Sequence, residues 1–325
     1  MVFFPVLLFL LISCSGDNDF VEEINTLYEE TTKIVYDTIF HTRIDSAGNE
    51  IVDTIITPHT ESVRNDLNIV VDSMVYQFVV QGPGSMQGAD CYKNKLFQFC
   101  NGFHWGSCYD MSNGKRLALF KFAGGPEGAS YHCNNADFSN YFYSEEDELP
   151  LIYVSQSGPK HVSVCRLIRT QKSYDLEIVQ TIVLKDLYSP DAVIDKENGY
   201  IYGYVYYNDK RLRLYKYKIP DYTISEEVVL TNDELLEILD LGHVTYRQGA
   251  TIKDGLLYMV EGVPSWGTDI YLRIVNIKNG SYSRISLTKA CGFYQEAEDI
   301  FFYNGELYCA TNYGNGVYKI YLRFN

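Results

Sequence analysis

From residue 67 onward the chain reads as short runs in which apolar and polar positions alternate, separated by turn residues. Period-two alternation rich in Tyr, Val, Ile and Phe predicts half-buried strands. The runs recur as a longer unit. Five segments superpose on one Ala: Gln87-Gly88-Ala89-Asp90, Asn134-Asn135-Ala136-Asp137, Pro190-Asp191-Ala192-Val193, Gln248-Gly249-Ala250-Thr251 and Gln295-Glu296-Ala297-Glu298. The Ala-to-Ala spacings are 47, 56, 58 and 47 residues (positions 89, 136, 192, 250 and 297). After each Ala comes a strand-like run, a turn and a second run. The second runs are Lys95–Cys100, 151–155, Tyr200–Tyr206, Leu256–Glu261 and Glu306–Thr311. Lys93-Asn94, Asn198-Gly199, Asp254-Gly255 and Asn304-Gly305 have the chemistry of tight hairpin turns. Third and fourth runs follow, such as 212–219 and 226–230.

Four strands per unit of about 40–60 residues is the signature of a propeller blade. The pattern therefore predicts an all-β fold, a five-bladed β-propeller of four-stranded blades over 67–325. The Ala falls on the innermost strand, where five strands crowd together and a small side chain permits close approach. The plainer reading is a Tyr-rich β-sandwich in which the Ala register is coincidence. The fifth unit has room for only three strands, at 298–303, 306–311 and 317–324. An unclaimed run at 67–80, best at 75–80, is expected to pair with the C-terminal strand and close the last blade.

The N-terminal region has a different pattern. Residues 2–12 are almost wholly apolar and lead into Leu11-Ile12-Ser13-Cys14. The stretch is too short to span a bilayer and suits a signal-peptide core. It resembles the lipobox of bacterial lipoproteins, although residues 1–5 hold no Lys or Arg. The resemblance implies a signal peptide over 1–13, cleavage before Cys14, and lipidation of Cys14. Ser15-Gly16-Asp17-Asn18-Asp19 resembles the surface-export signal of Bacteroidetes lipoproteins. That likeness implies an outer-membrane lipoprotein at the cell surface, held to the membrane by its lipid anchor. Residues 14–66 read as the lipid anchor and a stalk. Within it, 34–39 echoes 51–56 across a turn at 45–49, which allows a hairpin. A short helix over 21–31, with Ile24 and Leu27 on one face, is the alternative.

Composition changes the picture in two places. With 46% hydrophobic and 21% charged residues, the chain can build a core. A net charge of -15 argues against nucleic acid as a partner, because binding phosphates needs a Lys/Arg surface. There is no CxxC, HExxH, P-loop or GxSxG motif. The Gly-rich 82–88 segment lacks the strand–helix setting of a phosphate loop. Eight Cys less Cys14 leaves seven, an odd number. A Cys100–Cys108 disulfide is conceivable, and Cys165 and Cys309 read as buried thiols.

Propeller geometry places the residues before each Ala on one face with the loops after each second strand. This face collects Gln87, Asn134, Asp191, Gln248, Gln295 and Glu296, with His104, Trp105, Trp266 and Tyr313 from the loops. Both tryptophans of the protein are in the set. Trp105, Trp266 and Tyr313 each lie 16 residues after their Ala (89, 250 and 297). Aromatic faces beside amides and carboxyls suit a carbohydrate, whose C–H face stacks while its hydroxyls bond. The same aromatics can instead simply fill gaps between blades. Asp90, Asp137, Asp191, Glu296, Glu298 and Asp299 lie near the axis. A carboxyl pair among them fits a polysaccharide hydrolase or lyase, and a ring of oxygens is compatible with Ca²⁺. No catalytic set stands out, no metal-ligand spacing occurs, and no cofactor is called for. A ligand-binding surface lipoprotein, taking a glycan, another polymer or a protein, is the first expectation. A hydrolase and a protein-interaction scaffold are the alternatives.

Overall fold

A computed structural model describes residues 32–44, 50–62, 65–80, 85–100, 105–122, 133–156, 161–206, 210–312 and 316–325. The chain divides into two compact units, residues 1–64 and 65–325. The first contains a hairpin of β1 (Thr32–Ile44) and β2 (Glu50–Ser62), in register from Thr32↔Ser62 to Ile44↔Glu50. The sequence echo therefore is a hairpin. Cys14, the apolar 2–12 stretch and the 21–31 segment lie outside the described residues.

Among its described residues the second unit is all-β apart from a short helix, α1 (Leu287–Cys291), and a 3-10 turn. A single strand, β3 (Ile69–Val79), opens it. The first repeat holds β4 (Met86–Tyr92), β5 (Lys95–Cys100), β6 (Trp105–Asp110) and β7 (Arg116–Phe122). The second holds β8 (Cys133–Phe138), β9 (Ile152–Gln156), β10 (His161–Arg169) and β11 (Tyr174–Leu184). The third holds β12 (Asp191–Asp195), β13 (Tyr200–Tyr206), β14 (Arg211–Lys218), β15 (Glu227–Leu230) and β16 (Glu237–His243). The fourth holds β17 (Arg247–Lys253), β18 (Leu256–Glu261), β19 (Tyr271–Asn276) and β20 (Tyr282–Ser286). The fifth holds β21 (Ala297–Tyr303), β22 (Glu306–Thr311) and β23 (Gly316–Phe324).

Each repeat forms an antiparallel meander, in orders β4-β5-β6-β7, β8-β9-β10-β11, β12-β13-β14-β16, β17-β18-β19-β20 and β21-β22-β23-β3. The fourth place of the last meander is thus filled from the N-terminal side. β3 pairs with β23 from Gly316↔Val79 to Phe324↔Ile69. One expectation needs correction. The 226–230 run is not the fourth strand of the third repeat. It is β15, which pairs in parallel with Thr181–Leu184 of β11, while β16 takes the fourth place beside β14. The reason is an open edge: β7 pairs only with Tyr174–Leu176 of β11, so the rest of that strand needs a partner. The Gln180 amide helps seat the incoming segment, donating to the carbonyls of Asp221 and Ser225 at 3.1 and 2.9 Å.

The apolar clusters lie between repeats rather than within them. Phe97, Phe99 and Phe120 meet Phe138, Ile152 and Leu167 between the first and second. Val162 and Ile182 meet Ile194 and Ile201 between the second and third. Tyr202 and Leu214 meet Ile252 and Met259 between the third and fourth. Val260 and Leu272 meet Ile300 and Cys309 between the fourth and fifth, and Phe301 and Val317 meet Met86 and Tyr109 between the fifth and the first. Neighbouring first strands touch in the same cyclic order, β4, β8, β12, β17, β21 and back to β4. The arrangement is propeller-like. A flat meander has two faces to cover, and packing each against its neighbour covers both.

The crowding at the centre rests on Gly as much as on Ala. A Cβ at Gly249 would sit 2.0 Å from Asp299 Oδ1, and one at Gly88 would sit 2.8 Å from the Cys133 carbonyl oxygen. The Gln-Gly-Ala triplets therefore mark where neighbouring first strands approach closest. The cysteines of the described residues are all free thiols. Cys108 stands opposite Phe97, three residues from Cys100 on the neighbouring strand, so their Cα atoms are offset by about 10 Å along the strand at ~3.4 Å per residue. The conceivable Cys100–Cys108 bridge is therefore not made.

Candidate functional site

In the fourth and fifth repeats, the residues after the second strand and those before the first strand meet on one face. The backbone N–H of Asn312, just after β22, donates to the Glu296 carbonyl at 2.9 Å, just before β21. The Asn312 side chain donates to Glu296 Oε2 at 3.3 Å, and Thr311 Oγ1 donates to Gln295 Oε1 at 3.2 Å. In the fourth repeat, Trp266 after β18 packs edge-on against Tyr246, just before β17, with ring centres 5.0 Å apart.

The Trp266 loop is built by local rules. Pro264 opens a 3-10 turn, Pro264–Trp266, and Gly267 ends it at φ 75°. The Thr268 hydroxyl spans the loop, donating to the Val263 carbonyl at 2.9 Å and accepting its N–H at 2.8 Å. Held this way, the indole is 66% exposed. Trp266 is therefore a surface aromatic on a tied loop and not a core residue.

Behind Trp266 the aromatics continue. Tyr246 meets Tyr206, from the end of β13, at 6.2 Å, and the Arg247 guanidinium lies over the Tyr206 ring at 5.2 Å. Arg247 Nε donates to Asp191 Oδ2 at 2.8 Å and its Nη2 to the Ser189 carbonyl at 2.5 Å. Asn134 Nδ2 donates to the other Asp191 oxygen at 2.9 Å. Asp191 is buried, and burying its charge is tolerable because both oxygens are bonded. Burial works against the Arg247 charge, but the Asp191 carboxylate and the tyrosines around it hold its pKa above the ordinary value.

On the other side of Gln248 the groups are acidic. Gln248 Nε2 donates to Glu296 Oε1 at 3.4 Å. The buried Glu298 carboxyl takes hydrogen bonds from the Gln87 and Asn312 side chains. Burial first, and the neighbouring Glu296 second, push the Glu298 pKa up to about 8. Gln87 is itself buried, with its Oε1 unpartnered. One face thus brings together Asn134, Asp191, Gln248, Glu296, Gln295, Gln87 and Trp266 from the sequence-predicted set. Trp105 opens β6 rather than standing in a loop, opposite Lys121, and its side chain lies outside the described residues. His104 and Tyr313 lie outside them too.

The remaining axial acids face inward and act as backbone caps. Asp299 Oδ2 accepts the Ala89 N–H at 2.6 Å and the Ala136 N–H at 3.3 Å. Asp90 Oδ2 accepts from the Phe138 N–H at 2.6 Å, and Asp137 Oδ2 from the Ile194 N–H at 3.4 Å. Asn135 Oδ1 does the same for the Ala250 N–H at 2.7 Å. Burial pushes Asp299 and Asp137 well above the ordinary carboxyl range, and Asp90 above it. These acids join first strands that make no ladder with one another. Their side chains are buried.

Sequence reasoning missed the support beneath the face. Glu261 is fully buried between Arg273 and Arg284, bonding Arg273 through Oε1 and Arg284 through Oε2, the latter at 3.0 Å. Arg273 also donates to the carbonyls of Leu241 and His243, and Arg284 to the Thr245 hydroxyl. All three acceptors lie on the segment that leads into Tyr246 and Arg247. The available signal was a charge at an inward position in each of β18, β19 and β20. Among the described residues no group of three or more His, Cys, Asp or Glu has the arrangement of a metal site.

No family model matches this chain, and no curated protein matches it. Among solved structures, it is similar to glutaminyl cyclase from Myxococcus xanthus, at a TM-score of 0.46 and 10% identity, covering 78% of this chain and 97% of that one. It is also similar to a PQQ-bound aldose sugar dehydrogenase from Streptomyces coelicolor, at a TM-score of 0.47 and 8% identity, covering 78% and 98%. A nidogen/laminin complex matches at a TM-score of 0.38 and 9% identity, covering 87% and 85%.

Proposed function

We propose that this protein is a surface lipoprotein, anchored through Cys14, whose domain is a five-bladed β-propeller that binds a glycan on the face carrying Trp266. The cyclic order of meanders and inter-repeat cores supports the five blades, and the β3–β23 pairing supports closure of the last blade. The single observation that carries the binding reading is Trp266, two-thirds exposed on a tied loop beside Tyr246. Around it stand the half-buried polar groups of Asn134, Gln295 and Glu296. An exposed ring face covers the C–H face of a sugar, and amides and carboxyls bond its hydroxyls. Tying the loop beforehand lowers the ordering cost of binding. A glycan array probed with the soluble chain tests the reading. Trp266→Ala should weaken binding by roughly 1–3 kcal/mol without lowering the melting temperature. Unchanged binding by that variant would count against this face.

The hydrolase alternative narrows to Glu296 and Glu298. Glu298 is held protonated toward pH 8 beside a second carboxyl, as acid-assisted glycosidic cleavage requires. Product analysis on the same glycans, with Glu298→Gln as the control, separates cleavage from binding.

A further inference from the structure

Resting on the glycan reading, we propose that the ligand carries a single carboxylate on an otherwise neutral sugar chain, and that Arg247 receives it. A guanidinium has five N–H donors. Arg247 engages one on Asp191 and one on the Ser189 carbonyl, which leaves three. Nη1 carries two of these, has no partner among the described residues and is not fully buried, so it reaches solvent. The side chain is nonetheless only 14% exposed. It is clamped by Asp191, by the Ser189 carbonyl and by the Tyr206 ring. Asp191 is fixed in turn by Asn134.

A clamped guanidinium with free donors is a preorganised fork for a carboxylate, and little side-chain entropy remains to be lost on binding. Neutral hydroxyls do not require it, since amides and carboxyls on the same face can serve them. The Tyr246 ring abuts Trp266 at 5.0 Å and Tyr206 at 6.2 Å, and the Arg247 guanidinium lies over Tyr206, so an oligosaccharide stacked on the indole can extend along this aromatic row toward the guanidinium. The choice of one carboxylate follows from the surroundings. Asp191 already neutralises Arg247, Glu296 stands nearby, and the chain carries a net charge of -15. A polyanion would meet repulsion along most of its length.

The experiment uses the native chain and matched probes on one array. These are neutral oligosaccharides ending in glucuronic or sialic acid, their methyl esters, their neutral parents, and sulfated polysaccharides. The free acids should bind roughly 10–100-fold more tightly than their esters, the range expected for a charge-assisted hydrogen bond. Arg247→Lys keeps the charge beside Asp191 but loses the fork. It should erase that difference, and circular dichroism checks that the variant is still folded. Equal binding of acid and ester by the native chain, with Trp266→Ala still weakening both, overturns the carboxylate proposal and leaves the glycan reading standing. Preference for sulfated polymers overturns it as well. Failure of every glycan to bind overturns both.

Discussion

The Asp299 carboxylate accepts the backbone N–H of Ala89 at 2.6 Å, joining residues 210 positions apart in the chain. It ties the first strand of the last repeat to the first strand of the first repeat, where no β-ladder can form. The same carboxylate reaches Ala136 N–H at 3.3 Å, so one side chain joins β21, β4 and β8. Replacing it with an isosteric apolar group leaves those N–H groups buried and unpaired. Asp299→Leu should therefore cost several kcal/mol, at about 1–3 kcal/mol per unsatisfied group, measured by urea denaturation. Asp299→Asn, which still accepts, should cost clearly less.

The close approach at the centre makes a second prediction. A Cβ at Gly249 collides with Asp299 Oδ1 and lies 2.7 Å from its Cα, so the conflict involves backbone as well as side chain. Gly249→Ala should destabilise by more than the ~1 kcal/mol typical of point substitutions. A melting temperature equal to the parent's would show that the first strands can spread.

Closure through β3 is testable by truncation. β3 contributes Ile69 and Val71 to the core between the fourth and fifth repeats, and Val80 follows into the core between the fifth and first. Removing residues 1–64 should leave the melting temperature nearly unchanged. Removing residues 1–80 strips the outer edge of β23 and those core residues, and should give an unfolded or aggregating product.

The buried triad predicts a large single-site effect. Glu261→Ala strands two buried guanidiniums and should cost about 3–5 kcal/mol. The pair of arginines also holds the segment before β17, so binding at Arg247 should fall even where the variant remains folded. Burial opposes the Glu261 charge, but the two arginines win and hold its pKa below the ordinary value. Its contribution is present at neutral pH and is lost as pH falls through that lowered pKa.

Glu298 works in the opposite direction. Its pKa rises from an ordinary 4.5 to about 8 in the folded protein. Between those values the folded state holds a proton that the unfolded state has released, so stability falls as pH rises. Across that window the parent should lose up to about 1.4 kcal/mol per pH unit relative to Glu298→Gln. Parallel pH–stability curves for the two proteins would contradict the assignment.

Much of this fold is legible in the chain. The Ala register, the second runs and the Asn-Gly and Asp-Gly turns locate the meanders, because a strand's period and a hairpin's backbone both depend on neighbouring residues. The missing fourth strand of the last repeat, and the 75–80 run that fills its place, follow from counting. The shared face of Gln295, Glu296 and Asn312 follows from alternation of strand direction. Tertiary structure decided the rest. The destination of 226–230 turned on an edge of β11 left open by β7, which no local pattern reports. The fate of the capping acids turned on partners 48 to 210 residues away: Asp90, Asp137 and Asp299 became caps, while Glu298 stayed beside Glu296. Arg247 acquired its significance only when Asp191, Ser189 and Tyr206 closed round it. A charge's role depends on how many of its hydrogen bonds the surroundings satisfy, and that is a property of packing in three dimensions rather than of order along the chain.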